Sequence, residues 1–506
     1  MNQIAFTMEP GEFWWGGVVN CGYQMPFDEK SCCVVDTCMP EALDQAAPLF
    51  LSSKGRYVWS EGSFSFKADG GCVHCEGTEP IQLEAGYETL RGAYLAACKK
   101  RLPFPCSLPD ARFFNCCQYN TWIELKTDQT AQGILRYARG ILSHGLQPGI
   151  LMIDEGWQEE YGVFEFNRRK IPNPKALVQK LHEMGFAVML WVTPLVSAAG
   201  PRFLEMKKVG YLLRGKSGEI AIREWWNGYS AVLDLSNEAA YGWMKGQLQE
   251  LMKEYGIDGF KFDAGDPYFY RDDDQTAQPT CAREQTRIYN QLGEAFGLNE
   301  FRAAWKYGGH SVVARLQDKL HAWDTRGLAS LIPHTVLQGL LGYAFCCPDM
   351  VGGGDVSSFG AGEAMDEELF IRWAQASACM GMIQMSIAPW RVLSKKNADA
   401  VSQALRFHAS LGERICALAK NAAKTGEPIV RHMAYVFPEE GFERVDDCFM
   451  LGEDLLVCPV LKKGEKKKSI RLPQGKWKTW RGETVPGGQA IECEVIPEDI
   501  PLFYRL

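Results

Sequence analysis

The sequence predicts an α/β protein built on a (β/α)8 barrel, with an N-terminal β domain before it and a C-terminal β-sandwich after it. Three observations carry this. From about residue 113, short apolar runs alternate with longer stretches of helical period; acidic residues close several of those runs; and after about residue 415 the texture changes to short runs punctuated by Gly and Pro. A chain of 506 residues exceeds the size at which one core keeps growing, so we divide it into 1–110, 111–415 and 416–506.

Residues 1–110 are rich in Gly, Phe and Trp with weak alternation, and read as β structure packed on the barrel. Residues 113–118 are the first strand candidate. Asp128 then suits the cap of a helix whose apolar face is Ala131, Ile134, Leu135, Ala138, Ile141 and Leu142, stopped by Gly145. After a strand at 149–153, Asn173 and Pro174 supply a cap and an N1 proline for a helix that ends at Gly185, ahead of a third strand at 187–192. Ser236 opens a helix with Ala240, Met244, Leu248, Leu251 and Tyr255 inward, closed by Gly256 before a strand at 259–263. Later strand candidates lie at 302–305, around 322–323, at 343–346 and at 384–387. About eight strands suit a closed barrel, although counting alone leaves an open doubly wound sheet standing. Runs at 455–460, 469–472, 476–480, 490–495 and 501–504 read as sandwich strands, and the basic stretch 462–468 as a solvated hairpin tip.

The net charge of −8 offers no basic footprint for a polyanion, which argues against a nucleic-acid partner. The opening MNQIAFTMEPGEFWWGG has no basic region followed by an apolar one, and no run approaches eighteen apolar residues, so no membrane association and a cytoplasmic location are expected. Adjacent pairs such as Cys32-Cys33, Cys116-Cys117 and Cys346-Cys347 among 18 cysteines suit free thiols in a reducing compartment. Only Cys72-Val-His-Cys75 has ligand-like spacing, and no second pair completes a zinc site; no metal and no cofactor are expected. Nothing opposes assembly into a homo-oligomer.

In a barrel enzyme the site lies at the carboxyl ends of the strands, so acids that terminate apolar runs are the residues to collect. Asp154, Asp263, Asp324 and Asp349 qualify. One such Asp is more often a cap or loop residue; four together are harder to dismiss, because a carboxylate near a core costs desolvation free energy unless it is paired or used. Strand alternation places Lys261 and Asp263 on one side and Phe260 and Phe262 on the other, so the ammonium is expected beside Asp263, keeping it ionised as a nucleophile requires. A structural ion pair inside the barrel is the plainer alternative. Trp157, Trp191, Trp225, Trp226, Trp305, Trp323 and Trp390 fall near the same ends. Indoles stack on the C–H faces of sugars while carboxylates take the hydroxyls, so an oligosaccharide or glycoside is the expected partner.

The segments Ile153-Asp-Glu-Gly-Trp, Phe164-Glu-Phe-Asn, Ile171-Pro-Asn-Pro and Leu190-Trp-Val-Thr-Pro resemble the barrel of glycoside hydrolase family 31. Phe260-Lys-Phe-Asp-Ala-Gly-Asp, Leu331-Ile-Pro, Pro348-Asp-Met-Val-Gly-Gly and Pro389-Trp-Arg resemble the subgroup typified by the mammalian myogenesis-regulating glycosidase, and Gly452-Glu-Asp-Leu-Leu-Val-Cys-Pro-Val resembles the family's C-terminal sandwich. The resemblance implies an exo-acting, retaining α-glycosidase in which one Asp attacks the anomeric carbon and a second protonates the leaving oxygen. Asp263 matches the nucleophile. The acid/base falls on Asp324, which follows Trp323 sooner than the family pattern has it, with Asp355 in reserve. The resemblance places Asp154, Trp191, Lys261 and Arg391 around the nonreducing-end sugar, and we add Trp157, Trp226, Trp305 and Asp349 as substrate-binding candidates. Ile387-Ala-Pro-Trp-Arg stands where many α-glucosidases of the family carry Arg-Asn-His, so α-galactosides weigh at least equally with α-glucosides. Transglycosylation, a lyase reaction, other α-glycosides (xyloside, N-acetylgalactosaminide, sulfoquinovoside), a catalytically silent sugar-binding protein and a magnesium-dependent enolase-like barrel are the competing readings.

Overall fold

Short apolar runs bounded by helix caps form the strands of a parallel barrel. A computed structural model describes residues 1–37, 44–360 and 365–506. The barrel strands are β1 (Gln118–Asn120), β2 (Ile150–Ile153), β3 (Ala187–Val192), β4 (Gly259–Phe262), β5 (Leu298–Phe301), β6 (Val313–Arg315), β7 (Cys346–Cys347) and β8 (Gln384–Met385). They lie in the order β7-β6-β5-β4-β3-β2-β1-β8. The last strand returns to pair with the first, as no open doubly wound sheet does, and across the remaining seam the Val351 N–H donates to the Gln384 carbonyl at 2.8 Å.

The helix signals work where the cap is unambiguous. Asn173 accepts from the Ala176 N–H with Pro174 at N1, and Gly256, at φ 79°, ends the helix Glu238–Tyr255 in the left-handed conformation. Two caps sit later than expected: Thr130 rather than Asp128 accepts from the Gly133 N–H, and Asn237 takes the role expected of Ser236, whose hydroxyl donates to Asp234 instead. Residues 112–115 form a helical turn, not a strand, anchored by the Arg112–Asp110 pair.

Strands β5 and β6 differ most from expectation. Leu298-Asn-Glu-Phe and Val313-Ala-Arg carry charged residues because the barrel interior here is polar, which removes the apolar signature of a buried parallel strand. Glu300 accepts from Arg315 Nε at 3.2 Å and from Gln384 Nε2 at 2.7 Å, and Arg315 Nη1 reaches Asp318 at 2.8 Å and Asp349 at 3.1 Å. The run at 302–305 leaves the barrel: Ala304–Trp305 pairs in parallel with Gln45 and Ala46 of the N-terminal sheet, and Trp305 enters that domain's core with Trp14, Phe50, Phe64 and Phe66. Residues 322–323 form no strand.

The N-terminal region is two antiparallel sheets packed over that core. Cys72 and Cys75 alternate on opposite faces of one of its strands, exposed and buried, so their spacing brings no ligands together. The C-terminal region is a six-stranded sheet facing a two-stranded one around Trp477, Phe503, Leu456 and Ile470. Its basic stretch is no free hairpin tip: Lys463 pairs with Asp366 of the barrel, and the Lys468 ammonium is buried against Asp447 at 2.7 Å and the Pro459 carbonyl at 2.9 Å. Every described cysteine is a free thiol, and among the described residues no helix is long and apolar enough to cross a membrane.

Replacing Arg315 leaves Glu300 and Asp349 buried without their cation. We therefore expect Arg315→Met to lower the unfolding free energy by about 3 to 5 kcal/mol, read from urea denaturation at pH 7; a change below about 1 kcal/mol would show that the interior layer does not depend on it.

Candidate active site

A cavity of about 740 Å³ opens where β2, β4, β5 and β6 end, lined by carboxylates and aromatic rings. Asp263 is the first residue past β4 and continues its ladder, its N–H donating to the Val192 carbonyl at 2.9 Å. The next residue, Ala264, holds φ at 53°, a left-handed conformation that costs a non-glycine residue free energy, and its N–H turns back to Asp263 Oδ1 at 2.9 Å.

Register decides the main partner of Asp263. Phe262 lies opposite Phe301, so the next residue on each strand, Asp263 and Arg302, are neighbours. Arg302 Nε donates to Asp263 Oδ1 at 2.8 Å, and its two terminal nitrogens fork onto Asp266 at 2.9 and 2.7 Å. Trp191 Nε1 donates to Asp263 Oδ2 at 2.9 Å. Burial alone would raise the Asp263 pKa, but the Arg302 charge, followed by Lys261 and Arg315, outweighs it and holds the carboxyl well below the usual carboxylate range. Lys261 thus acts on Asp263 only from a distance: its ammonium is bonded to Asp154 at 2.8 Å, and Arg302 fills the place expected of it.

Glu155, next to Asp154, also faces the cavity. Its carboxylate accepts from Tyr161 Oη, from Asn227 Nδ2 and, at 3.1 Å, from Trp226 Nε1. Burial nevertheless pushes its pKa up to about 7.

Asp154, Lys261, Asp263, Trp226 and the reserve candidate Asp355 line one cavity, with Trp191 attached through its bond to Asp263. Five other candidates lie elsewhere. Asp324 is half-exposed and forked by Arg326, at 2.7 Å to Oδ2, and these bonds lower its pKa, the reverse of what a proton donor needs. Trp323 gives it no apolar wall, because that indole donates to Asp366 at 3.0 Å. Asp349 is fully buried and holds Arg315 and the backbone N–H groups of Lys319 and Gly354. Trp157 is buried behind the site, donating to the Trp191 carbonyl at 2.7 Å, and Trp305 belongs to the N-terminal core. Arg391 pairs with Glu124 at 2.9 Å while Trp390 stacks on His144, so the Pro-Trp-Arg turn faces a barrel helix.

Sequence reasoning missed Arg302, Glu155, Asn227, Asp266 and Asp318, all of which line the cavity. Arg302 follows β5 just as Asp263 follows β4, but the apolar pattern puts a strand at 302–305, so the sequence sets Arg302 at the start of a run and not at its carboxyl end. Among the described residues no group of three or more His, Cys, Asp or Glu could hold a metal ion.

Removing the guanidinium should raise the Asp263 pKa. The depressed pKa contributes stability that is full above the ordinary Asp value near pH 4 and is lost as pH falls below it. We expect Arg302→Gln to move the acidic limb of the pH–rate profile upward by about 1 to 3 units; an unmoved limb would remove Arg302 from control of this carboxylate.

Residues 114–411 match the glycosyl hydrolases family 31 TIM-barrel domain, and residues 426–506 match the glycosyl hydrolase family 31 C-terminal domain. Myogenesis-regulating glycosidase of Mus musculus is 33% identical over 392 residues, which cover 75% of this chain and 54% of that protein. Alpha-glucosidase 2 of Bacillus thermoamyloliquefaciens is 24% identical over 421 residues, covering 74% and 51%. The chain thus spans about half the length of these relatives. The crystal structure of a GH31 alpha-xylosidase from a soil metagenome, complexed with xylose, shares the fold with a TM-score of 0.83 at 20% identity, covering 99% of this chain and 79% of that one. With its barrel and its C-terminal domain both matched, the first over more than half of its length, the chain belongs to glycosyl hydrolase family 31.

Proposed function

We propose that the protein is a retaining, exo-acting α-glycosidase that removes a terminal, uncharged α-galactosyl or α-glucosyl unit from an oligosaccharide or glycoconjugate. The observation that carries this is Asp263: a buried carboxylate, kept charged by Arg302 and oriented by Trp191, facing a cavity large enough for a sugar.

In this reading Asp263 attacks the anomeric carbon from one face while the bond to the aglycone breaks. Asp355 supplies the proton to the departing oxygen and then takes one from the water that hydrolyses the glycosyl-enzyme. Asp355 suits that double task better than Asp318, the carboxylate that the loop after β6 contributes to the cavity. Asp318 is paired with Arg315 at 2.8 Å, whereas the described side-chain bonds of Asp355 are to the Ser357 N–H and hydroxyl, through Oδ1 alone. In the same reading Asp154 and Lys261, which line the cavity as an ion pair, take hydroxyls of the bound sugar.

Charge supports the choice of an uncharged sugar. Among the described residues the cations lining the cavity are Lys261 and Arg302, and both are committed to carboxylates, so a sulfonate or uronate would meet an excess of negative charge. Water, a second sugar or elimination decides the fate of the intermediate, so transglycosylase and lyase outcomes share the same site. The free thiols support a reducing, cytoplasmic setting.

Asp263→Ala is expected to lower kcat by about 10⁴-fold or more in a folded protein, measured on nitrophenyl α-galactoside and α-glucoside. Near-normal turnover would sink the assignment, and sugar binding without turnover in the wild type would mark a silent binding protein.

The acid/base has its own test. Asp355→Ala should cripple disaccharides far more than glycosyl fluorides, which leave without a proton, and added azide should restore turnover as a glycosyl azide of retained configuration. If Asp318→Ala shows this leaving-group dependence and Asp355→Ala does not, the proton comes from Asp318.

A further inference from the structure

Among the described residues, Trp226 and Tyr268 are the two large aromatic side chains that line the cavity and stand half in solvent, each at 51% exposure, and Trp226 carries the larger ring. It sits at the tip of a hairpin whose strands, Ile222–Trp225 and Gly228–Val232, pair Trp225 with Gly228 and leave Trp226 and Asn227 as a two-residue turn. Both turn residues reach back to one group: the Trp226 indole N–H and the Asn227 amide donate to the Glu155 carboxylate, which Tyr161 also holds. An indole has a single N–H, so this bond is its only directional restraint. The ring contacts described for it are Trp225 at 4.8 Å, Phe269 at 6.2 Å and the Arg302 guanidinium at 5.8 Å, none of which is a hydrogen bond to the indole N–H.

We propose that Glu155 is a positioning residue that clasps the hairpin tip and presents Trp226 as a stacking platform at the mouth of the cavity, thereby selecting glycosides with an apolar C–H face or an aromatic aglycone. The inference rests on reading the cavity as a glycoside site, but not on any step of catalysis. In its ionised form the carboxylate serves where an amide would not, because both of its oxygens accept and it can take all three donors at once. A loose indole would surrender the stacking geometry and gain rotamer freedom that the ligand must then remove.

Binding of nitrophenyl and methyl α-galactosides and α-glucosides to the full chain, followed by isothermal titration, tests this without turnover. The variants are Glu155→Gln, Trp226→Phe, Trp226→Ala and the double Glu155→Gln/Trp226→Ala, with circular dichroism to check folding. Trp226→Ala should weaken the nitrophenyl glycosides by about tenfold or more, and more than the methyl glycosides. Glu155→Gln should weaken them by about tenfold, and should add less than twofold in the Trp226→Ala background, because its effect passes through the ring. Trp226→Phe, which keeps a ring but loses the N–H, should resemble Glu155→Gln. Where turnover is measurable, KM should follow these losses with kcat changed less than twofold.

A Glu155→Gln effect that persists undiminished without the indole would overturn the proposal and place Glu155 on the sugar itself. A fall in kcat at constant KM would overturn it in favour of a catalytic carboxyl. If the wild type binds none of the four glycosides, the platform is refuted, whereas binding without turnover refutes only the hydrolase reading.

Discussion

A carboxylate that must stay ionised at the end of an apolar strand needs a cation delivered by the next strand, and the β4–β5 register supplies it. The pairing of Phe262 with Phe301 makes Asp263 and Arg302 neighbours, and a slip of one residue would turn Arg302 to the opposite face and leave a buried charge uncompensated. The strained Ala264 follows from the same requirement, since the chain must turn sharply to aim its N–H back at Asp263.

Behind this pair the barrel interior is a polar layer, not a hydrophobic plug. Arg315 touches Glu300, Asp318 and Asp349, which stand on β5 and on the loops after β6 and β7. Such buried pairs are weak evidence for net stability, since an apolar interior of the same shape would do as well or better. Their effect is to fix position: Asp349 gathers the N–H groups of Lys319 and Gly354, so one carboxylate pins both loops that bring Asp318 and Asp355 to the cavity.

How much of this was legible follows from the same physics. β2 and β3 are apolar throughout and β4 is apolar but for Lys261, so all three could be read from composition, as could the Asn173-Pro174 and Gly256 helix ends. β5 and β6 hid because Glu300 and Arg315 point inward, so a rule that expects apolar interiors passes over the strands whose polarity matters most. The alternation argument put Lys261 and Asp263 on one side but could not show which carboxylate the ammonium would take, because that choice belongs to β2 and Asp154. Asp324 lies outside the cavity lining for a related reason: nearness to a Trp in the chain does not fix which way either side chain turns, and Arg326, two residues on, is its partner. Trp157 and Trp305 are core residues, the commoner fate of tryptophan, whereas Trp191, Trp225 and Trp226 bear on the cavity.

The exchange of a strand between the barrel and the N-terminal sheet makes the two regions one mechanical object. Gln45, beside the Ala304–Trp305 pairing, donates to the backbone carbonyls of both Arg302 and Arg315, and Asp44 accepts from the Gln317 N–H at 2.7 Å. The N-terminal sheet thus grips the peptide groups of the two arginines that set the charge of the cavity. It is less an appended module than a bracket, and recombination that exchanged it for an unrelated domain would carry away part of the scaffold that aims the site.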